Sequence, residues 1–383
     1  MKHTRLTFLF SLGLLASCSS NPYYDPSKSH HTESGFKNID YENDKGFWSF
    51  MKWRWEQLFK DIPDADDYHF PVDTTHHAFL KTNTDIPTLT WIGHATFLIQ
   101  FHGLNILTDP QFSERASPVS WAGPRRAVEP ALAISGLPDI DVVVISHDHY
   151  DSLDLATVIE LAGHNREREL TFMVPLGMKA WLDDLDLESI NAIELDWSQS
   201  HDIGGVTFTA EPSQHWCKRT LFDANRRLWA SWVIESREGR IFFAGDTGYA
   251  KHFRDIGEKY GQFDLALLPI GAYEPRWFMK PHHVNPEEAV MIHRDIRSKY
   301  SVAMHWGTFV LTDEPLDEPP KKLAEALRQY NIPASEFEVY QHGETRFLDW
   351  LFSEQGTQFT DNKGSNKMTE GFLFNQPQRL VKI

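Results

Sequence analysis

A short polar string directly after a strand-like run restricts the possible fold and function of this chain more than any other feature of its sequence. The string covers residues 146–154 and follows residues 141–145, whose β-branched composition is typical of a buried strand. In extended backbone the side chains alternate between faces, so His147 and His149 point the same way and can offer two imidazole nitrogens to one metal ion. Asp151 falls on the same face, where a carboxylate either binds a second ion or orients a water molecule.

Three later residues repeat this arrangement. His215, Asp246 and His305 each lie at the end of an apolar, strand-like run. Histidines near strand ends are often hydrogen-bonded structural residues, so the first string by itself leaves metal binding and a structural role open. The repetition of potential ligands at strand ends favours one shared metal site.

The local patterns predict alternating strands and helices. Residues 89–92, 96–101 and 105–107 are typical of an antiparallel meander with a short corner at residues 102–104. Helical patterns follow at residues 154–162, 177–182, 252–259, 285–293 and 321–330. The fourth helix begins with Asn285, Pro286 and Glu288, which predict an N-cap, a proline in the first turn and a capping box.

Several longer strings resemble the N-acyl-phosphatidylethanolamine-hydrolysing phospholipase D family. In chain order they are residues 91–96 (WIGHAT), 107–110 (LTDP), 212–220 (PSQHWCKRT), 244–249 (AGDTGY), 269–280 (PIGAYEPRWFMK) and 305–309 (HWGTF). The resemblance covers residues 85–350 in consistent order. It implies an α/β protein with the four-layer αββα sandwich of the metallo-β-lactamase fold, and metal ions at the edge where the strand-end loops converge.

The same resemblance implies six metal ligands, which are His147, His149, Asp151, His215, Asp246 and His305. His147, His149 and His215 would hold one ion, and Asp246 would bridge it to a second ion bound by Asp151 and His305. The family has a histidine directly after the aspartate, where this chain has Ser152. A serine hydroxyl is a poor zinc ligand, so the site is expected to hold one or two Zn²⁺ ions, the second of them weakened.

The chemistry implied by the resemblance is hydrolysis of N-acyl-phosphatidylethanolamine, or of a related phospholipid, to N-acylethanolamine and phosphatidic acid. Metal-activated water would attack phosphorus, and Asp151 is the candidate base. His283 aligns with a histidine of the family's substrate pocket and is the second catalytic candidate, with a helix-start structural role as the alternative. No nucleophilic serine or cysteine is needed, so Cys217 is expected to be a packing residue.

The candidate substrate-binding residues surround that site and are Trp121, Lys218, Arg219, His282 and His283. Trp121 lies where the animal members of the family carry a Gln-Tyr pair, so headgroup contacts are expected to differ. The basic residues would meet lipid phosphates, with a solvated basic loop as the alternative. The role of His94 stays open between a partner of the metal ligands and a structural histidine.

The first residues resemble a bacterial lipoprotein signal. Basic residues precede a short apolar run, and residues 15–18 (LASC) resemble a lipobox, which predicts a signal peptide at residues 1–17 and a lipid on Cys18. Ser19 after the cysteine favours the outer membrane of the cell envelope, facing the periplasm. Residues 18–45 are expected to form a solvated tether, His30 and His31 included.

An aromatic segment follows within residues 46–84. Its apolar residues recur at helical spacing and are Phe47, Phe50, Met51, Trp55, Leu58 and Phe59. Two interpretations fit this stripe: a helix packed on the domain, or an interfacial helix that guides lipid to the site. The catalytic domain is expected at residues 85–350 and a polar tail at residues 351–383.

The net charge of the chain argues against nucleic acid as a partner. The formal net charge is −17, which argues against nucleic acid because binding to phosphate backbones needs a positive surface. The phospholipid substrate at a membrane surface is the expected partner. Two alternatives remain: a metallo-hydrolase of a small soluble ester, lactone or phosphodiester, and a lipoprotein whose metal site has decayed, which is motivated by Ser152.

Overall fold

The computed structural model describes residues 20–41, 45–165 and 167–352. The predicted signal peptide, Cys18 and most of the predicted C-terminal tail lie outside these described residues. The strands of the described chain are β1 (His31–Thr32), β2 (Gly35–Phe36), β3 (Thr88–Gly93), β4 (Thr96–Phe101), β5 (Leu104–Thr108), β6 (Val142–Val144), β7 (Leu170–Pro175), β8 (Ile190–Leu195), β9 (Ser200–Ile203), β10 (Val206–Glu211), β11 (Ser231–Glu235), β12 (Arg240–Phe243), β13 (Phe263–Pro269), β14 (Ser298–Met304), β15 (Phe337–Glu338) and β16 (Thr345–Phe347).

Helices alternate with these strands. They are α1 (Phe47–Gln57), α2 (His77–Leu80), α3 (Leu155–His164), α4 (Lys179–Asp183), α5 (His252–Tyr260), α6 (Arg276–Met279), α7 (Pro286–Asp295), α8 (Glu318–Tyr330) and α9 (Asp349–Phe352). The five predicted helices correspond to α3, α4, α5, α7 and α8. Asn285 caps α7 by accepting from the backbone of Glu288, whose own carboxylate accepts from the backbone of Asn285, as the capping-box pattern predicts.

The strands form two seven-stranded sheets with the same plan. One sheet has the order β16-β3-β4-β5-β6-β7-β8, and the other has the order β9-β10-β11-β12-β13-β14-β15. In the first, β3, β4 and β5 form the predicted antiparallel meander, and β6, β7 and β8 continue it in parallel. In the second, β10, β11 and β12 form the meander, followed in parallel by β13, β14 and β15. Each position in one sheet therefore has a counterpart in the other.

This plan brings several strand ends to one edge of each sheet. Because β3 and β5 flank the antiparallel β4, they run in the same direction as β6 and β7. By the same reasoning β10 and β12 share a direction with β13 and β14. The loops that follow all of these strands leave from the same edge, and every predicted metal ligand lies in one of them.

A single hydrophobic core joins the two sheets and the helices that pack on them. Trp91 of β3 and Trp232 of β11 are both fully buried, and the Trp232 indole donates a hydrogen bond to the carbonyl of Ile145, which ties the second sheet to the end of β6. Helix α7 packs against β13 and β14, and α5 and α8 pack against α7. The predicted α/β sandwich of the metallo-β-lactamase type is confirmed.

The N-terminal segment differs from the expected solvated tether. Phe36 is 2% exposed and belongs to the core, and its backbone N–H donates to the carbonyl of Asn225. His30 and His31 are buried as well and contact the carboxylate of Asp196. The sequence prediction was wrong here because the few apolar residues of a polar stretch were enough to dock it once buried hydrogen-bonding partners were available.

The end of the domain also lies slightly beyond the predicted boundary. Leu351 and Phe352 of α9 are buried, and the Phe352 ring lies 4.9 Å from that of Phe101 in β4. The domain therefore includes two residues that the sequence analysis assigned to the polar tail.

Helix α1 presents its apolar stripe to solvent. In this stripe Phe47 is 66% exposed and Trp55 is 64% exposed, and Phe59 just beyond the helix is 75% exposed. The helix is held instead by Trp53, which lies off the predicted stripe and stacks on Phe278 of α6 at 5.1 Å. The stripe therefore does not pack on the described part of the domain, whereas the helix itself does so through Trp53. Among the described helices, none combines the length and the apolar character that crossing a bilayer requires.

Candidate metal centre

The structure brings all six predicted ligands to the shared edge of the two sheets. They come from the loops after β6, β10, β12 and β14, and are His147, His149, Asp151, His215, Asp246 and His305. All are buried except His149, which is half-buried. They form two neighbouring groups, one of histidines and one that contains the carboxylates.

The first group consists of His147, His149 and His215. Each of them offers a ring nitrogen that lies within 4.8 Å of the other two. The Nε2 atom of His215 lies 3.3 Å from Nδ1 of His149. Two ligand atoms bound to one tetrahedral zinc ion at about 2.05 Å are about 3.3 Å apart, so this spacing fits two ligands of one ion.

A buried carboxylate fixes the orientation of His147. Asp109, directly after β5, accepts hydrogen bonds from the backbone N–H of Ser146 at 2.7 Å and from the Ser146 hydroxyl. Because that hydroxyl donates to Asp109, it accepts from Nδ1–H of His147 at 2.9 Å. The Nε2 atom of His147 then carries a lone pair and has no protein hydrogen-bond partner, as a metal ligand requires.

His215 is fixed by two different contacts. Its Nδ1–H donates to the carbonyl of His282 at 2.9 Å, which leaves Nε2 free to bind a metal. The side chain of Asn38 bonds both sides of the His215 backbone, donating to its carbonyl at 2.9 Å and accepting from its N–H at 3.2 Å. The N-terminal segment is therefore part of the support of the site.

The second group contains Asp151, His305 and Asp246. Nε2 of His305 lies 3.4 Å from Oδ2 of Asp151 and 3.0 Å from Oδ2 of Asp246. The same Asp246 oxygen lies 3.7 Å from Nε2 of His147. It is therefore placed between the two groups, where a bridging carboxylate would be. Gly245, before it, has a φ of +59° and an ideal Cβ there would lie 2.3 Å from that of Ser146, so glycine is required.

The residues present fit bound metal. Buried side-chain atoms without a hydrogen-bond partner concentrate at this centre, and they include Nε2 of His147, Nε2 of His305 and Oδ1 of Asp246. Buried polar groups are nearly always paired in proteins, so such a cluster fits a centre whose side chains bind a metal ion. Imidazole and carboxylate donors in these numbers suit zinc and related transition metals.

The protonation states also suit metal binding. Burial lowers the pKa of His147 to about 4 and lowers the pKa of His215 well below its ordinary value. Burial alone would raise the pKa of Asp246, but the neighbouring His305 and His147 hold that pKa well below its usual range. His147 and His215 are therefore neutral imidazoles and Asp246 is a carboxylate, which are forms that ligate a metal. Burial alone would lower the pKa of His305, but Asp246 and Asp151 raise it to about 10, so this ring gives up a proton when it binds metal.

Comparison with known proteins identifies the family. The model for the beta-lactamase superfamily domain matches residues 104–306. N-acyl-phosphatidylethanolamine-hydrolyzing phospholipase D 1 of Caenorhabditis elegans is 44% identical over 247 residues, which cover 62% of this chain and 69% of the worm protein. The chain belongs to this phospholipase D family.

Other relatives agree with this assignment to the N-acyl-phosphatidylethanolamine-hydrolysing phospholipase D family. The mitochondrial member from Saccharomyces cerevisiae is 36% identical over 241 residues, which cover 61% of this chain and 50% of the yeast protein. A metal-dependent hydrolase of Pyrobaculum islandicum is 29% identical over 64% of this chain and 94% of its own length. The protein is therefore a metal-dependent hydrolase.

Solved structures support the fold. An isothiocyanate hydrolase from Delia radicum gut bacteria superposes with a TM-score of 0.54 at 19% identity, covering 68% of this chain and 98% of its own. Igni18, a metallo hydrolase from Ignicoccus hospitalis, superposes with a TM-score of 0.50 at 22% identity over the same shares. Both likenesses concern the fold of the family domain.

Two neighbouring histidines of this phospholipase D relative line the centre in different ways. Nδ1 of His283 lies 4.0 Å from Oδ2 of Asp246, and its ring faces those of His215 and His305 at 5.2 and 5.5 Å. Burial lowers the pKa of His283 to about 3, so the ring is neutral. His282 supports His215 through its backbone carbonyl, while its own side chain is buried beside Trp216.

The basic substrate-binding candidates are placed differently from expectation. NH1 of Arg219 donates to the carbonyls of Asp148 and Leu153 at 2.7 Å, and the guanidinium stacks on Tyr150 at 4.3 Å. Arg219 therefore clamps the metal-binding loop instead of being free for a lipid phosphate. Lys218, half-buried, contributes its backbone N–H to the carboxylate of Asp148. A basic residue beside a metal ligand in the sequence can either hydrogen-bond to the backbone of the metal-binding loop or face the substrate. Sequence spacing is the same in both cases and cannot distinguish them.

Trp121 is 80% exposed, in the loop between β5 and β6. Its predicted contact with substrate stays a prediction for this family member.

Two residues that support the metal ligands were absent from the sequence prediction. Asp109 was detectable, because it follows an apolar strand just as Asp246 does. Asn38 had no such signal, since it lies in a polar stretch.

Proposed function

We propose that this protein is a zinc-dependent phospholipase D that hydrolyses N-acyl-phosphatidylethanolamine, or a closely related phospholipid, to N-acylethanolamine and phosphatidic acid. The observation that carries the proposal is the pair of ligand groups, with Asp246 Oδ2 3.7 Å from His147 and 3.0 Å from His305. Family membership supports the substrate class. The nitrogen and oxygen donors favour zinc over magnesium or calcium.

The reaction follows from the chemistry of such a centre. When bound, zinc supplies a Lewis acid for the phosphoryl oxygens and makes water nucleophilic near neutral pH. The water oxygen forms a bond to phosphorus, and the bond from phosphorus to the oxygen of N-acylethanolamine breaks. One proton of the water is lost to the protein and the leaving oxygen gains one, so the products are an alcohol and a phosphate monoester.

Asp151 is the proposed acceptor of the water's proton. Burial alone would raise its pKa, but its contacts with His305 and His94 hold the pKa well below the usual range, so the carboxylate is ionised. Because it is 9% exposed and lies among the ligands, it is positioned to orient water as well. His283, neutral and partly exposed at the same centre, would hydrogen-bond a substrate oxygen.

The aromatic helix supports a lipid substrate. Its exposed residues, among them Trp48 and Trp55, have the amphipathic character of side chains that sit at the level of lipid headgroups. Trp53 stacks on Phe278, and Lys52 lies 4.5 Å from the ring of Trp277. Both partners belong to α6, which leads within a few residues to His283. We propose that α1 rests on the membrane and that lipid passes along α6 to the centre.

The proposed cellular location rests on the sequence. A lipid on Cys18 would anchor the protein in the bacterial envelope, in the outer membrane facing the periplasm. A phospholipid is the proposed partner, and the net charge of −17 disfavours nucleic acid.

The test is release of N-acylethanolamine from vesicles that contain N-acyl-phosphatidylethanolamine, using zinc-loaded protein. We expect turnover that Asp246→Asn abolishes and that Asp139→Asn, an exposed carboxylate away from the strand-end ligands, leaves intact. Turnover of soluble phosphodiesters or esters with none of the lipid would overturn the proposed substrate and favour a soluble one. Absence of any hydrolysis by metal-loaded protein would overturn the enzymatic proposal itself.

A second experiment addresses the membrane surface. In protein that carries Cys18→Ser and therefore lacks the proposed lipid, the double variant Trp48→Ser/Phe59→Ser should bind vesicles more weakly by roughly tenfold or more, while hydrolysis of a monomeric short-chain substrate is retained. Ile159→Ser, which changes an exposed apolar residue on α3, is the matched control. Unchanged vesicle binding by the double variant would contradict the assignment of α1 to the membrane.

A further inference from the structure

We propose that His94 is a ligand of the second metal ion and replaces the histidine that Ser152 has displaced. This inference rests on the proposed two-ion centre. It concerns a residue from another part of the chain, the loop between β3 and β4, which is more than fifty residues from the metal-binding string. The site would thus keep its second ion through a change of ligand.

Ser152 by itself cannot complete the second group. Its side chain is fully buried, and its hydroxyl has no hydrogen-bond partner. Neutral serine is a poor ligand for zinc, which prefers thiolate, imidazole and carboxylate. With Ser152 excluded, the loop after β6 supplies only Asp151 to a second ion, so any imidazole beyond that of His305 comes from another segment.

His94 lies where that imidazole is needed. Its Nε2 atom is 3.1 Å from Oδ2 of Asp151, and its ring centre is 4.0 Å from that of His305. One ring or carboxylate atom from each of these three residues lies within 4.8 Å of the others, the same limit that the first histidine group meets. His94 is 2% exposed, so it is a buried member of the centre.

His94 is held in this place by a backbone conformation that is unfavourable for a residue with a side chain. Its φ is +54° and that of His305 is +61°, a region that non-glycine residues rarely adopt and that is found at functional sites. The two residues are joined directly, because the N–H of His305 donates to the carbonyl of His94 at 2.9 Å. Thr308 fixes the other side by accepting from the N–H of His94 at 2.9 Å.

The plan of the two sheets gives an independent reason. Strands β3 and β10 hold equivalent positions, each the first strand of its meander. The chain leaving β10 supplies His215 to the first group, and the chain leaving β3 supplies His94 beside the second. Each sheet would therefore contribute one histidine from the same topological position to the centre.

The competing explanation is that Nε2 of His94 only donates a hydrogen bond to Asp151, since 3.1 Å fits both roles. The variant His94→Gln separates them. The amide nitrogen of glutamine reaches the position of Nε2 and donates a hydrogen bond, but it is a poor zinc ligand. A positioning role survives this change, whereas a ligand role does not.

The experiment measures zinc per chain by plasma mass spectrometry in equilibrium dialysis, at a free zinc concentration that saturates the wild type. We expect two ions in the wild type, one in His94→Gln and two again in His94→Gln/Ser152→His. His293→Gln, a buried histidine of α7 bonded to Ser301, is the control for loss of any buried imidazole and should keep two ions. Thermal melts establish that each variant is folded.

A second readout detects the bond itself. Protein with isotope-labelled histidine and NMR-active cadmium should show a scalar coupling between the metal and the His94 ring, which hydrogen bonding to Asp151 does not produce. Two ions in His94→Gln, or absence of this coupling in cadmium-loaded wild type, would overturn the proposal, as would one ion in the wild type. Two ions without lipid turnover would leave the ligand assignment standing and overturn only the proposed substrate.

Discussion

Asp109 controls the first metal position although it binds no metal in our assignment. Burial raises the pKa of the Asp109 carboxyl well above its ordinary value, and the two hydrogen bonds from Ser146 oppose that shift. In the ionised form the carboxylate can only accept hydrogen bonds, and it takes one from the hydroxyl of Ser146. That direction makes Nδ1 of His147 the donor and leaves Nε2 as the ligand atom. Which ring nitrogen of His147 can bind the metal therefore depends on the direction of the hydrogen bond between Ser146 and Asp109.

We predict that Asp109→Asn weakens zinc binding about 10–100-fold, the usual effect of losing an outer partner of a metal-ligating histidine. The amide group donates towards the Ser146 hydroxyl, which would then donate to His147 and place the ring proton on Nε2. Competition titration with a chromophoric chelator measures the affinity. Asp139→Asn is the matched control, and equal affinities in the two variants would contradict the role given to Asp109.

A second buried carboxylate holds the N-terminal segment. Asp196 is 2% exposed and contacts His30 at 2.7 Å, His31 at 3.1 Å and the ammonium of Lys28. Burial alone would raise the pKa of Asp196, but His30 and Lys28 hold it well below the ordinary value of 3.8. Removing one member of such a buried set leaves the others unpaired, which is strongly destabilising.

We predict that Asp196→Asn lowers the free energy of unfolding at pH 7 by about 3 kcal/mol. Because the folded-state pKa is depressed, the stabilisation is present above pH about 4 and is lost as the pH falls below that value. Urea titrations at pH 7 and pH 3 should therefore show a smaller difference at the lower pH. Asp183→Asn, in an exposed pair with Lys179, should change stability little.

At the level of elements, helix α1 is attached to the domain by its polar residues as much as by Trp53. The carboxylate of Asp313 accepts from the Trp53 indole at 2.9 Å, from Gln57 at 2.7 Å and from Lys60 at 2.5 Å. Asp313 lies in the loop that follows His305 and β14. The aromatic helix and a metal-binding loop thus share one anchoring side chain.

We predict that Asp313→Ala releases α1 while leaving the metal centre intact. Loss of charge-assisted bonds worth about 1.5–3 kcal/mol should raise amide hydrogen exchange across residues 47–57 by roughly 10–100-fold. Zinc content should stay unchanged, because Asp313 contacts no ligand. Glu325→Ala, on the exposed face of α8, serves as the control, and unaltered exchange in α1 would contradict the anchoring role.

At the level of the whole molecule, the two sheets meet at a centre that is unfavourable without metal. Asp151 and Asp246 are both buried, and His147, His149 and His305 have ring nitrogens without partners. Since ligands come from both sheets, bound metal would link the two halves of the domain. Metal binding and folding are therefore expected to be coupled.

We predict that chelation lowers the melting temperature reversibly. Metal that binds only the folded state stabilises it by roughly 4 kcal/mol when its free concentration is about 1,000 times Kd. Calorimetry before and after dialysis against a chelator, with zinc restored in a third sample, measures the shift. Asp246→Asn should show a much smaller shift, and an equal shift in wild type and variant would contradict coupling through this centre.

The sequence predicted the regular elements well because their signals are local. The meander of β3, β4 and β5 and the capped helix α7 appear where alternation and capping residues indicated them. Prediction was poorer where a side chain has two possible neighbours. Arg219 was expected to face substrate and clamps a loop, and His30 was expected in solvent and is buried.

The sequence alone determined which strand ends carry histidine and aspartate, and through the long family strings it determined the fold and the class of hydrolase. The tertiary structure decided what those residues meet. It placed His94 beside Asp151, put Asp109 behind His147 and turned the aromatic stripe of α1 to solvent. These contacts join segments far apart in the chain, and their formation depends on sheet pairing and burial, which no local pattern of residues encodes.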